Sequence, residues 1–290
     1  MTAKPLVAAT DGSEESLRAV EWAAREAVLH GAPLRIVSAA PMPRMIGLQV
    51  RPDRDIVADL IREERDRALA AAADRAAEMA PGLLIETNSL ADQPAQAVTG
   101  SGAGALMLVV GSRGIGAFAA MMLGSVSRYA VAHASCPVVV VRDETAAVHR
   151  QVGIGIGDLD SCADSLTFAF EEASLRKASL MAIHAWHTPQ TAISRAGSPS
   201  PVPGSYAIEA EAARQLAGLL DNWREKYPDV PVSQDVVHGH PGRALVGLSA
   251  SADLVVIGRH AKHPSLQGPG SVRHAVLNYA LGPIAVVPSS

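Results

Sequence analysis

Short, uninterrupted apolar runs alternate along this chain with longer alanine-rich stretches. In the first half the runs are Leu6 to Ala9, Leu34 to Ala39, Leu83 to Thr87, Ala105 to Val110 and Val138 to Val141. Apolar runs this short, without polar alternation, predict strands buried on both faces, as in a parallel sheet. Between them, segments near Glu14 to His30, Asp55 to Met79, Pro94 to Gly100 and Ser125 to His133 predict helices. Strand alternating with helix gives an α/β fold with a doubly wound parallel sheet and right-handed crossovers.

The second half repeats the first. Trp22-Ala-Ala-Arg-Glu-Ala27 corresponds to Phe168-Ala-Phe-Glu-Glu-Ala173, and Gly124-Ser125-Val126 to Gly270-Ser271-Val272, each 146 residues on. Pro94 corresponds to Pro241 and Gly111 to Gly258 at a spacing of 147, and the Val138 to Val141 run to Ile284 to Val287 at 146. A period of this size is a whole domain. Two tandem domains follow, 1–145 and 146–290, with the boundary in the short polar stretch Asp143 to Arg150. Pro41 to Arg54 and His187 to Ser205 occupy matching places after the second strand of each repeat. The latter contains Pro199, Pro201 and Pro203, and both are expected as surface flaps without regular structure.

Composition narrows the function. Of the 290 residues, 48% are apolar and 19% charged, which is the makeup of an ordered globular protein. A net charge of -4 and 3% aromatic residues argue against a nucleic-acid partner, since neither a basic stripe nor a stacking platform is available. The longest apolar runs, such as Ala117 to Leu123, fall short of the roughly 18 residues of a membrane span. With no signal-peptide pattern at the N-terminus, a cytoplasmic protein is expected. Cys136 and Cys162 are too few for a disulfide framework and are read as reduced. The charge cluster Arg62 to Arg67 reads as a solvated helix side supported by pairs such as Glu63 with Arg67.

Candidate chemistry sits after the fourth strand. Gly111-Ser-Arg-Gly114, nine residues, then Gly124-Ser125 make the pattern G-x2-G-x9-G-S. A strand ending in glycine lets a ligand approach the backbone, and Gly114 and Gly116 leave the loop free to wrap an anion. Ser125 is expected to cap the following helix, whose first amides favour phosphate oxygens. Arg113 is the loop's own cation. Asp11 ends the first strand, and in a doubly wound sheet the first and fourth strands flank the crevice where ligands bind. A carboxylate there accepts from a ribose hydroxyl or helps hold Mg2+ beside phosphates. A polyphosphate ligand with Mg2+ is expected. A Walker-type NTPase and a dinucleotide oxidoreductase are disfavoured, because neither G-x4-G-K-[ST] nor G-x-G-x-x-G follows the first strand. No catalytic base is evident. The reading is therefore a nucleotide-dependent regulatory module, with a slow ATPase or nucleotidyl-transfer enzyme as the alternative.

These residues resemble the universal stress proteins, in the tandem two-domain form common in actinobacteria and the ATP-binding subgroup. Gly111, Gly114, Gly124 and Ser125 match that subgroup's glycine motif, and Asp11-Gly-Ser13 and the valine run after Pro137 match as well. The resemblance implies a five-stranded parallel sheet per domain, ordered 3-2-1-4-5, with ATP and Mg2+ at the crevice. It places Thr10 and Asp11 at the ribose and phosphates, Val37 at the adenine, and Ser112, Val126 and Ser127 along the ribose and phosphate chain with the glycines. Ala9 stands where the family often has glycine. The resemblance also implies that the final strands of two domains pair, so the tandem chain is expected as an internal pseudo-dimer, with a stress-response role, an unidentified regulatory partner and a further homodimer open.

The second repeat departs from the pattern. Gly157 occupies the Asp position, with Asp158 one residue later, and the loop reads Gly258-Arg-His-Ala261, eight residues, Gly270-Ser271. Asp158, Gly258, Gly270, Ser271 and Val272 are thus expected to form at most a weak nucleotide site. His238, His240, His260 and His263 share one sheet edge, where loop polarity is favoured over a metal site.

Overall fold

In the computed structural model, residues 3–39, 54–90, 93–114, 123–142, 148–186, 205–259 and 272–289 are described. The chain divides into two units, Met1–Glu144 and Thr145–Ser290. The flaps expected after the second strand of each repeat lie outside the described residues, except that Arg54 and Ser205 already begin helices.

The first unit runs β1 (Leu6–Ala9), α1 (Glu14–His30), β2 (Leu34–Ala39), α2 (Arg54–Met79), β3 (Ile85–Leu90), α3 (Pro94–Ser101), β4 (Met107–Gly111), α4 (Ser125–His133) and β5 (Val138–Val141). Its strand order is β3-β2-β1-β4-β5, with every pair parallel. The chain winds outward from β1 through β2 to β3, then returns to β4 on the other side. The loops after β1 and β4 therefore diverge and leave a crevice between them.

Local chemistry explains where the elements stop. Ser13 caps α1 by accepting from the Ser16 amide, Glu14 and Glu15 sit in its first turn and His30 in its last. Gly31 ends the helix in the left-handed conformation (φ 59°), its amide reaching back to the Ala27 and Val28 carbonyls. Ala19, Val20, Ala23, Ala24 and Ala27 form the buried face. In the core, β1 and β4 are buried along their whole length. The third strand differs from expectation. It begins at Ile85, not Leu83, Leu84 is 65% exposed, and Glu86 to Ser89 face solvent. As the end strand of its order, β3 needs no apolar inner run, so hydrophobicity marked its start wrongly.

The second unit repeats the plan: β6 (Gln151–Ile156), α5 (Ala163–Arg176), β7 (Ser179–Trp186), α6 (Ser205–Lys226), β8 (Val232–His238), α7 (Pro241–Leu248), β9 (Leu254–Arg259), α8 (Val272–Tyr279) and β10 (Ile284–Pro288). Its order is β8-β7-β6-β9-β10, again parallel. Asp253 holds the chain as it enters β6, accepting from the amides of His149 (2.7 Å) and Gln151 (3.3 Å). Among the described residues, no helix is long and apolar enough to cross a membrane.

Candidate functional site

The loop after β1 is braced from within. Thr10 is 4% exposed; its Oγ1 lies 3.0 Å from Ser16 Oγ and accepts from the Gly12 amide (3.1 Å). Ser16 Oγ also donates to the Ser13 carbonyl (2.8 Å) and accepts from the Asp11 amide (3.3 Å). Gly12 takes φ +83°, which a side chain rarely adopts. Asp11 Oδ1 accepts from the amide (3.1 Å) and hydroxyl (2.6 Å) of Ser13. This is an Asx turn leading into the α1 cap.

The same carboxylate reaches the glycine loop. A side chain at Gly114 would run into Asp11 Oδ2. The two sequence signals, a strand-end Asp and a glycine pattern about a hundred residues later, thus meet across the crevice between β1 and β4. Beside Gly114, the Arg113 Nε is buried without a hydrogen-bond partner among the described residues. A buried donor in that state is costly unless an acceptor completes it.

At the far end of the loop, Gly124 donates to the Ser112 carbonyl (2.8 Å) and Ser127 Oγ donates to the Gly111 carbonyl (2.6 Å), fastening the start of α4 to the end of β4. Ser125 is not the cap, contrary to expectation. Gly124 holds that position (φ -64°, ψ 157°) and brings no side-chain oxygen to the first amides. Ser125 is instead the first helical residue and is exposed. Gly111 is crowded on its Cβ side. A Cβ there would stand 3.0 Å from the Glu15 carbonyl oxygen and 3.2 Å from the Ser16 amide nitrogen, so its smallness admits the first turn of α1. Gly124 is different, since an added Cβ meets only ordinary contacts of 3.5 Å and beyond.

Burial sorts the expected residues. Ala9, Thr10, Val37, Ser112 and Ser127 are buried. The Val37 carbonyl accepts from the Thr10 amide (2.9 Å). Asp11, Arg113, Gly114, Gly124, Ser125 and Val126 keep surface open to a ligand. Gly116 lies outside the described residues. Ser16, which ties Thr10 to Asp11, was not anticipated, although its place one turn into a capped helix marks it.

The described residues of the second unit do not reproduce this arrangement. Asp158 is exposed and accepts from the Asp160 amide (3.1 Å) and Ser161 Oγ (2.9 Å). Its helix begins only at Ala163, behind Cys162, which makes no side-chain cap. Gly258 and Val272 are half-buried, while Gly270 and Ser271 lie outside the described residues. His240 caps α7 through Nδ1, which accepts from the Gly242 amide (3.1 Å); His260 and His263 fall outside.

The Universal stress protein family model matches residues 2–142 and again 149–288. The chain belongs to the universal stress protein family. A universal stress protein of Mycobacterium tuberculosis is 36% identical over 304 residues, covering 98% of this chain and 97% of that protein. One from Mycolicibacterium smegmatis is 32% identical over 291 residues, covering 97% and 96%. These relatives match over both repeats, so the tandem form belongs to the whole length. The crystal structure of a universal stress protein from Archaeoglobus fulgidus superposes with a TM-score of 0.71 over 99% of both chains at 17% identity, which shows the shared fold.

Proposed function

We propose that the first unit binds ATP with Mg2+ in the crevice between the loops after β1 and β4, and that occupancy sets the surface read by a regulatory protein in the cytoplasm. The observation that carries this reading is the meeting of the Asp11 carboxylate with Gly114, beside the buried Arg113 Nε. A carboxylate next to bare phosphates would repel them, so a divalent cation is the natural bridge between the two. Asp11 would hold the ion or a ribose hydroxyl, and Arg113 would complete a phosphate oxygen. The amides at the start of α4, left uncapped by Gly124, would take the chain's remaining oxygens. Bound Mg2+ supplies charge neutralisation there. Ala9 and Val37 support the base-side wall, and Thr10, Ser112 and Ser127 hold the two loops in register. Asp158, Gly258 and Val272 offer the second unit a weaker version.

The test is mass spectrometry of small molecules released from freshly purified full-length protein. An adenine nucleotide is expected from the wild type, and far less from Gly124→Ala. A wild type that carries no nucleotide and binds no added ATP at millimolar concentration contradicts the proposal.

A further inference from the structure

Three hydroxyls of the loop after β1 have no counterpart in the second unit. Thr10, Ser13 and Ser16 stand at every third position, and 146 residues on stand Ile156, Leu159 and Cys162. Thr10 and Ser16 are each 4% exposed, so their hydroxyls depend on partners within the protein. A hydroxyl has one proton to give, which fixes the direction of every bond among them. Ser16 Oγ gives its proton to the Ser13 carbonyl (2.8 Å), so Thr10 Oγ1 is the donor in the 3.0 Å bond between the two hydroxyls. Ser16 Oγ then accepts from Thr10 and from the Asp11 amide (3.3 Å), while Thr10 Oγ1 accepts from the Gly12 amide (3.1 Å). The run from Thr10 to Ser13 thus hangs on one side chain in the first turn of α1.

Both anchors of the Asp11 carboxylate pass through that side chain. Ser16 Oγ holds the Asp11 amide, and Oδ1 is held by the amide and hydroxyl of Ser13, whose carbonyl Ser16 fastens in turn. With Oδ1 engaged in this way, Oδ2 faces Gly114. In the second unit a hydrocarbon replaces Thr10 and a thiol replaces Ser16. Cys162 Sγ keeps one of these bonds, donating to the Leu159 carbonyl (3.2 Å), the counterpart of the Ser13 carbonyl. The Ile156 side chain, buried beside β6, has no hydroxyl to donate, and sulfur is a weak acceptor. The relay is gone. α5 begins at Ala163 although the counterpart of Glu14 is Asp160, and Asp158 turns to the Asp160 amide and Ser161 Oγ.

We propose that Thr10 and Ser16 are positioning residues of the first unit's crevice: their hydroxyl relay sets the Asp11 carboxylate to hold a cation opposite Gly114, and Ile156 with Cys162 removes that setting from the second unit. The inference rests on the reading of the crevice as a site for a polyphosphate with Mg2+. Both hydroxyls act through Asp11. A relay of this kind changes geometry and not net charge. It matters where Mg2+ demands an oxygen at a fixed distance, and matters little to phosphate oxygens taken by backbone amides.

Calorimetric titration of the full-length chain with ATP, once with Mg2+ and once with EDTA, separates these two cases. Thr10→Val keeps the shape of the side chain and loses the hydroxyl. It should lower the affinity for ATP with Mg2+ about tenfold and leave the affinity in EDTA within about twofold of wild type. Thr10→Ser retains the hydroxyl and should bind as wild type does. In an Asp11→Asn background, Thr10→Val should add no further loss. An equal loss with and without Mg2+, no loss at all, or no rescue by Thr10→Ser would overturn the proposal. A wild type that binds no ATP would sink the nucleotide reading instead, and amide hydrogen exchange then decides the relay alone. The Asp11 and Gly12 amides should exchange about tenfold faster in Thr10→Val than in wild type, and those of Gly157 and Asp158 about tenfold slower in the double variant Ile156→Thr with Cys162→Ser. Unchanged exchange at either pair of amides would overturn the proposal whatever the nucleotide does.

Discussion

Gly111 and Gly124 both belong to the glycine pattern, yet they answer to different forces. The backbone of Glu15 and Ser16 fills the space beside Gly111, so Gly111→Ala is expected to destabilise the chain by about 1–3 kcal/mol through overpacking. Urea unfolding would show it as a lowered midpoint, and an unchanged midpoint would remove the packing account. Gly124 has room for a methyl group, and its backbone angles suit any residue, which makes Gly124→Ala the clean probe of ligand binding. Cys162 supplies a pH prediction. Burial pushes its thiol above the usual range, with the charges of Asp158 and Asp160 adding to the rise. A folded pKa above the unfolded one stabilises fully below the unfolded value, about 8.5, and that stability is lost as pH rises through the folded value. Unfolding free energy should thus decline above about pH 8.5, and Cys162→Ala should flatten that decline; identical pH profiles for the two proteins would contradict it. At this scale Asp11 and Gly114 were legible because strand-end chemistry and glycine spacing point to one place. The roles of Gly111 and Ser125 were not, because a sequence does not say whether a missing Cβ makes room for a ligand or for a neighbouring helix.

The elements show how two copies of one plan diverged. Gly153 and Gly155 in β6 lie against α7: a Cβ at Gly153 would run into a methyl carbon of Leu248, and one at Gly155 would stand 2.6 Å from a methyl carbon of Leu245. At the equivalent positions of the first repeat the strand carries Val7 and Ala9, and the helix carries Ser101 and Val98. Volume removed from the strand is returned on the helix. Gly155→Ala should accordingly cost about 1–3 kcal/mol, and Leu245→Val in the same chain should recover part of it. A double-mutant cycle with no coupling between the two sites would refute the exchange. Most strands and helices were readable from apolar runs and caps; β1, β2, β5, α1 and α4 stand where the pattern puts them. The third strand was displaced because an end strand carries polar residues on both faces, which hydrophobic periodicity does not detect. Arg65 shows the same limit, since part of the supposed solvated cluster turns inward and donates to the Leu90 carbonyl (2.8 Å), while Glu63 and Arg67 pair as expected (3.3 Å).

For the whole molecule, duplication followed by divergence implies unequal halves. The first unit keeps an Asp, a full-length glycine loop and an uncapped helix start, while the second has a delayed helix. The strand order of the first unit ends in β5, four valines in a row, and such an edge seeks a partner when bare. The isolated fragment 1–144 is therefore expected to self-associate in sedimentation experiments, and a fragment that stays monomeric at high concentration would show that β5 needs no partner. The central claim is one strong ATP site per chain, in the first unit. Calorimetric titration of the full-length chain with ATP and Mg2+ tests it most directly, run beside Gly124→Ala. The account predicts a stoichiometry near one, with affinity lowered about tenfold or more by the substitution at an unchanged melting temperature. Two equivalent sites, or an affinity that Gly124→Ala leaves untouched, would contradict it.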